Sequence, residues 1–202
     1  MLESADLNRA VTSACLVGVQ RPDMELRRAE GLLDELQELC GNLDIATVQR
    51  HIVRIRQPTA ALLLGSGKAE SILAEAHSAG ADCIIFDEPL SPRQQRNWEA
   101  LGKQTLTVLD RQEIILDIFH RRAQTREARL QVQLARLEYD LPRMKRAWTH
   151  LDRQRGGGAV QRDAGETQLE MDQRMIRNRI ARLKKELADV LQHRDTQRKR
   201  RM

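Results

Sequence analysis

Three consecutive glycines at positions 156–158 lie between two long apolar repeats in the second half of the chain. Glycine adopts backbone angles that are closed to other residues, so no helix is expected to continue through the triplet. Thr167 and Glu170 have the spacing of a capping box, and Leu169 opens the next apolar repeat directly afterwards. The segment 149–166 is therefore predicted to be the tip of a helical hairpin.

The apolar repeats on either side of this tip have helical spacing. Before the tip, leucines recur in steps of 4, 3 and 4 residues, and after it a similar rhythm continues to Leu191. The first repeat predicts a helix over about 112–148, kinked or interrupted at Pro142, and the second predicts a helix over 169–198. Two such seams joined by a loop pair as an antiparallel coiled coil, so residues 112–202 are expected to form a long antiparallel helical hairpin.

The first half of the chain alternates short apolar runs with helical patterns. The runs predict five strands, at 14–20, 47–56, 60–64, 81–86 and 105–109. Between them, helices are predicted at 26–41, at 69–79, and from Pro92 to Leu101 with Ser91 as the N-cap. Strands and helices that alternate at this length form βαβ units. The fold class is therefore predicted as α/β, with a parallel-sheet domain over residues 1–111 followed by the helical hairpin.

Charge is distributed unevenly between the two halves of the chain. The formal net charge is +5, but residues 1–119 contain 12 Lys and Arg against 18 Asp and Glu, a net −6. Residues 120–202 contain 22 against 11, a net +11. A solvated helical face carries both signs, so a two-to-one excess of one sign favours a nucleic acid as the partner of the second half.

Cysteines, histidines and hydropathy exclude several classes of protein. Cys15, Cys40 and Cys83 are far apart and form no C-x-x-C pair, and the five histidines are scattered. A disulfide scaffold or a zinc site is therefore not expected, and the thiols are predicted to be buried. No run approaches the roughly 20 apolar residues that span a bilayer, and the first residues do not resemble a signal peptide. We expect a cytoplasmic monomer without a membrane span or a bound metal.

A short glycine-containing segment, Gly65, Ser66, Gly67 and Lys68, lies between a predicted strand and a predicted helix. Gly65, Gly67 and Lys68 are candidates for contact with a nucleotide or another anion. A complete P-loop requires glycine where Leu62 stands and Ser or Thr where Ala69 stands. A tight turn that leads into a helix is therefore favoured over a phosphate site.

Two adjacent carboxylates, Asp87 and Glu88, follow the predicted strand at 81–86. The carboxyl edge of a parallel sheet is where α/β proteins usually place ligands. No histidine, nucleophile or metal-binding cluster accompanies the two residues in the sequence. An acidic loop is favoured over a catalytic pair, and no catalytic site is predicted in these residues.

The strongest candidates for binding are the basic and glycine residues near the predicted tip. Their side chains would neutralise phosphates, and the glycines would allow close approach of an RNA backbone. Since the chain has only two Trp, one Tyr and two Phe, base stacking is not expected to dominate, and binding should follow backbone shape. The candidate RNA-contacting residues are Arg143, Lys145, Arg146, Arg153, Gln154, Arg155, Gly156, Gly157, Gly158, Arg162, Gly165 and Glu166.

Several segments resemble the N-terminal region of HflX-type GTPases. The segments are 64–70, 85–92, 115–119 and 165–170, the last being the closest in sequence. The resemblance implies an α/β domain, a helical hairpin and then a GTP-binding domain. It also implies binding to rRNA of the large ribosomal subunit, with the tip directed toward the peptidyl transferase centre, and separation of stalled or idle ribosomes under stress.

These residues depart from the family pattern in two respects. They contain no complete P-loop or guanine-specificity motif, so GTP and Mg²⁺ are expected to bind only through a G domain outside them. Val160, Asp163 and Ala164 also stand where the family has additional glycine and a proline. Two alternatives remain open, namely a nucleotide-binding α/β protein that uses 65–68 and a general coiled-coil interaction or RNA-binding protein.

Overall fold

The computed structural model describes residues 11–103, 105–144 and 168–199. Contacts within the chain define two compact units, residues 1–118 and residues 119–202. The first unit is built on four parallel strands in the order β2-β1-β3-β4. The predicted α/β class with a parallel sheet is therefore confirmed.

Strands and helices alternate along the first unit, and the last of these helices extends beyond the end of the unit at Ile118. The bounds are β1 (Ser13–Gln20), α1 (Leu26–Gly41), β2 (Ala46–Arg54), α2 (Ser66–Ser78), β3 (Cys83–Phe86), α3 (Pro92–Leu101), β4 (Thr107–Asp110) and α4 (Arg111–Arg122).

Strand β1 supplies side chains to two separate hydrophobic cores. Cys15, Val17 and Val19 belong to the core that contains residues of α2 and α3, whereas Ala14 and Leu16 belong to the core that contains residues of α1 and α4. Successive residues of a strand point to opposite faces of the sheet. Because both faces of β1 are covered, its sequence is continuously apolar rather than alternating. The cysteines Cys15, Cys40 and Cys83 are buried free thiols, as predicted.

The strand predicted at 60–64 is absent, and the segment forms a turn. Thr59 and Leu63 each donate a backbone N–H to the other's carbonyl at 3.0 Å, and Leu63 has a positive φ of 67°. The Leu62 carbonyl accepts a hydrogen bond from the Trp98 indole nitrogen at 2.7 Å. The prediction was wrong because a short apolar run is also produced by side chains that enter a core without joining a sheet.

Helix α3 begins with the predicted cap. The Ser91 hydroxyl accepts from the Gln94 N–H at 3.2 Å, and the Gln94 side-chain oxygen accepts from the Ser91 N–H at 2.9 Å. Pro92 occupies the first turn, where a missing N–H costs no hydrogen bond. One turn later the fully buried Trp98 packs edge-on against Phe86, with ring centroids 5.0 Å apart.

The second unit contains α5 (Arg126–Asp140), a 3-10 turn (Leu141–Arg143) and α6 (Gln168–Lys199). The continuous helix predicted over 112–148 is wrong, since α4 ends at Arg122 and α5 starts afresh. The Thr125 hydroxyl accepts from the Ala128 N–H at 3.1 Å and so caps α5. The 3-10 turn contains Pro142, which has no N–H to donate to a helix.

Helix α6 matches the helix predicted over 169–198. It contacts α5, and two ion pairs connect the helices. Glu127 pairs with Arg194 at 2.8 Å, and Glu138 pairs with Lys184 at 2.8 Å. None of the helices in the described ranges is long and apolar enough to cross a membrane.

The capping box of α3 should contribute measurably to the stability of the first unit. Replacement Ser91→Ala removes the hydroxyl acceptor, and loss of such a cap costs about 1 kcal/mol. The free energy of unfolding is measured by urea denaturation through Trp98 fluorescence in a Trp148→Phe background. Ser78→Ala is the control, because the exposed Ser78 hydroxyl donates back to Ala74 within its own helix. Equal stabilities of the two variants would show that the cap contributes nothing.

Candidate nucleic-acid interface

Exposed basic side chains extend along most of α6. Ile176 and Ile180 are half-buried and Leu183 is buried, so charged residues occupy much of the remaining surface. The exposed basic residues of this helix are Arg174, Arg177, Arg179, Arg182, Lys184, Lys185 and Arg194. Such a series of cations suits a polyanion with regularly spaced phosphates.

Part of this charge is neutralised within the unit. Lys184 and Arg194 pair with carboxylates of α5, and Arg182 pairs with Glu186 one turn along α6 at 2.8 Å. Arg179 and Lys185 form no ion pair with any residue that the structure describes. Exposed ion pairs contribute little free energy, so even the paired cations can exchange a carboxylate for a phosphate at small cost.

Among the candidate RNA-contacting residues near the tip, Arg143 lies within the described ranges. Its guanidinium lies over the Tyr139 ring, 3.5 Å from the centroid, and its Nη1 donates to the Tyr139 carbonyl at 3.0 Å. The cation–π contact holds the charge at the end of the 3-10 turn and covers the aromatic ring. The other tip candidates lie outside the described residues; they are Lys145, Arg146, Arg153, Gln154, Arg155, Gly156, Gly157, Gly158, Arg162, Gly165 and Glu166.

The segment Gly65 to Lys68 forms the start of α2. Gly65 is the N-cap, and Gly67 and Lys68 lie in the first helical turn, which begins three residues earlier than predicted. Gly65 and Lys68 line an open groove that Arg54 and Arg56 also line. Sequence reasoning missed these two arginines, although their alternation with buried Val53 and Ile55 was a usable signal.

Asp87 and Glu88 lie at the carboxyl end of β3, where β1 and β3 are neighbours although β2 comes between them in sequence. The Val19 N–H donates to Asp87 Oδ1 at 3.1 Å, and Arg21 binds both oxygens of Glu88 at 2.9 Å. Burial raises the pKa of Asp87 from 3.8 to about 7. Both carboxylates connect the ends of β1 and β3, which favours the structural interpretation over a catalytic pair.

The structure brings together no group of three His, Cys, Asp or Glu side chains suited to a metal within 11–103, 105–144 and 168–199. Among the same residues, the groups whose pKa changes most are the three buried thiols and Asp87. Burial raises the pKa of Cys15 and of Cys40 to about 12. Thiols held in the neutral form are poor nucleophiles, so they serve packing.

Asp87 should make the stability of the first unit dependent on pH. A carboxyl whose pKa is raised in the folded state makes its full contribution to the free energy of unfolding below pH 3.8. This contribution is lost as the pH rises through about 7. Asp87→Asn cannot ionise, and its side-chain oxygen still accepts from Val19. The variant should match the wild type near pH 4 and exceed it at pH 8 by about 4 kcal/mol, because the pKa rises from 3.8 to about 7 and each pKa unit corresponds to about 1.4 kcal/mol.

Urea denaturation followed by Trp98 fluorescence at both pH values measures this difference. Asp23→Asn, which alters an exposed carboxylate near the end of β1, is the control and should change little at either pH. Equal stability of wild type and Asp87→Asn at pH 8 would contradict the raised pKa.

Comparison with known proteins identifies the family of the chain. Residues 30–120 match the family described as GTP-binding GTPase N-terminal, and residues 122–201 match the GTP-binding GTPase Middle Region. The GTPase HflX of Akkermansia muciniphila is 46% identical over 208 residues, covering 100% of this chain and 47% of the relative. The GTPase HflX of Escherichia coli is 40% identical over 170 residues, covering 84% of this chain and 39% of the relative.

Solved structures show the same fold at lower identity. A GTP-binding protein from Sulfolobus solfataricus in complex with GDP is 22% identical with a TM-score of 0.58, covering 89% of this chain and 45% of that one. A second GDP complex, described as SsGBP, has a TM-score of 0.62 at 23% identity, covering 92% and 46% of the two chains. The chain thus spans about half the length of these relatives or less. It belongs to the HflX family of GTPases, and its residues correspond to the N-terminal and middle regions of that family.

Proposed function

We propose that this chain is the ribosome-binding part of an HflX-type GTPase and docks on the large ribosomal subunit through rRNA phosphates. The observation that carries the proposal is the charge of the second half, where 22 Lys and Arg accompany 11 Asp and Glu over residues 120–202. Each phosphate that a cation neutralises releases condensed counterions, so a +11 unit binds a polyanion such as rRNA with a large favourable term.

The distribution of these cations favours backbone contacts over base reading. Arg179 and Lys185 are exposed on α6 without an ion-pair partner in the described part of the chain. Tyr139, the single tyrosine, is buried beneath Arg143 and offers no face on which a base can stack. Docking therefore follows the shape and phosphate positions of folded rRNA.

The docking element is the antiparallel helical hairpin that α5 and α6 form in the second unit. Its support is the order of the two ion pairs between α5 and α6. Glu127 pairs with the later residue Arg194, and Glu138 pairs with the earlier residue Lys184, as antiparallel neighbours require. The segment 149–166 is then the tip, directed toward the peptidyl transferase centre.

The proposed activity of the whole protein follows from the family. The curated relatives are GTPases of about twice this length, and residues 62–69 lack two positions of a P-loop. GTP and Mg²⁺ are therefore bound by a G domain outside these residues. In this proposal the protein is a cytoplasmic monomer, and GTP binding and hydrolysis control its action in separating stalled or idle ribosomes under stress.

Charge reversal at the tip tests the docking. In the wild type, binding to purified large subunits should be detectable by co-sedimentation at about 50 mM KCl and fall steeply toward about 200 mM. The triple change Arg153→Glu, Arg155→Glu, Arg162→Glu should weaken binding at low salt at least about tenfold, because three attractive contacts become repulsive.

A matched control changes the net charge of the chain equally. Arg27, Arg28 and Arg93 are exposed on α1 and α3 of the first unit, and their reversal to Glu should change the affinity less than the tip reversal does. Absence of wild-type binding at low salt, or equal effects of the two triple variants, would contradict docking through the tip. Binding that survives complete RNase digestion would instead support a protein partner.

A further inference from the structure

A groove of about 810 Å³ opens at the carboxyl end of β2 and carries three basic side chains. Arg54 is the last residue of β2, Arg56 follows two positions later, and Lys68 lies in the first turn of α2. All three are exposed. This concentration of positive charge stands out because residues 1–119 have a net charge of −6.

Arg54, Arg56 and Lys68 have no carboxylate partner among the described residues, in contrast to three other arginines at the edges and ends of the sheet. Arg21, Arg50 and Arg111 each form an ion pair with a carboxylate, namely Glu88, Asp34 and Glu35. No ion pair of Arg54, Arg56 or Lys68 occurs within the ranges that the structure describes.

Glu75 lies near Lys68 but forms no ion pair with it. The pKa of Glu75 is lowered by its hydrogen bond from Ser71 and, to a smaller extent, by the charges of His51 and Lys68. The Ser71 hydroxyl donates to Glu75 Oε1 at 2.7 Å, and Glu75 Oε2 lies 3.6 Å from His51 Nε2. Glu75 therefore offsets part of the Lys68 charge without pairing with it, and Arg54 and Arg56 remain available to an anion from solution.

The remaining lining argues against a free nucleotide as that anion. The groove wall contains Ile52, Val53 and Ile55 but no aromatic side chain on which a base could stack. Leu62 and Ala69 replace the P-loop residues that would surround a triphosphate and hold its metal. An open groove with spaced cations instead fits successive phosphates along the backbone of an RNA strand or duplex.

We propose that the groove lined by Arg54, Arg56 and Lys68 binds the phosphodiester backbone of RNA. The α/β unit then has an RNA contact of its own, in addition to the contacts of the helical unit. That the RNA is ribosomal rests on the proposed function, whereas the binding of an RNA backbone rests on the groove alone.

Neutral substitutions of matched size test the groove in the full chain. The probe is a fluorescein-labelled RNA duplex of about 20 base pairs, long enough to present successive backbone phosphates. Arg54→Gln, Arg56→Gln, Lys68→Gln should weaken binding at about 100 mM KCl at least about tenfold, and should flatten the slope of log K against log salt by about 2 to 3. The control Arg27→Gln, Arg28→Gln, Arg93→Gln removes the same charge from exposed sites of the same unit and should leave the slope within about 1.

Lysine acetylation read by mass spectrometry locates the contact directly. Bound duplex should protect Lys68 from an amine-reactive reagent and leave the exposed Lys103 unprotected. Protection of Lys68 should persist in the tip variant Arg153→Glu, Arg155→Glu, Arg162→Glu. Equal labelling of Lys68 with and without duplex, or equal affinities of the two Gln variants, would overturn the proposal.

Two further measurements distinguish this proposal from nucleotide binding and from docking on the ribosome. Titration of ATP and of GTP into residues 1–202 alone should give no binding heat, and micromolar ATP binding that Lys68→Gln abolishes would assign the groove to a free nucleotide instead. Co-sedimentation with large subunits tests the ribosomal docking separately. Loss of that docking with retained Lys68 protection by duplex would overturn the docking and leave the groove proposal standing.

Discussion

The burial of β1 on both faces is the constraint on which the first unit depends. Its residues from Ala14 to Val19 are inaccessible to solvent, and parallel neighbours flank it on both edges. Side chains on one face meet α2 and α3, and those on the other meet α1 and α4, so all these helices take their positions from one strand. Carboxylates at the ends of β3 then bind β1: Asp82 accepts from the Ser13 N–H and Asp87 from the Val19 N–H.

This rigid sheet determines where charge can accumulate on the first unit. Its edges are mostly neutralised by ion pairs such as Arg50 with Asp34, whereas the carboxyl end of β2 retains Arg54, Arg56 and Lys68 without partners. The second unit follows a different principle, because a helix with one apolar face leaves most of its surface free for basic residues. Both arrangements leave cations exposed to solvent, one set in a groove and one along a helix.

The sequence predicted the parts of the fold that local patterns determine, including β1, α1, the Ser91 cap of α3 and the extent of α6. It failed at 60–64, since the pattern of a buried turn there equals that of a short strand. The prediction of one helix over 112–148 also failed at Thr125. Thr125 caps a new helix there, but the leucine repeat that follows indicated a continuous one. The approach of Lys68 to the groove of Arg54 and Arg56 and the pKa of Asp87 depend on tertiary neighbours, so no local pattern specifies them.

The central claim is that the chain binds the large ribosomal subunit by neutralising rRNA phosphates. The salt dependence of wild-type affinity for purified large subunits tests it most directly, because the slope of log K against log salt counts the phosphates contacted. At about 0.7 to 0.9 per phosphate, contacts from the tip, α6 and the groove together predict a slope steeper than about −4. A slope near zero, or no binding at low salt, would contradict the account.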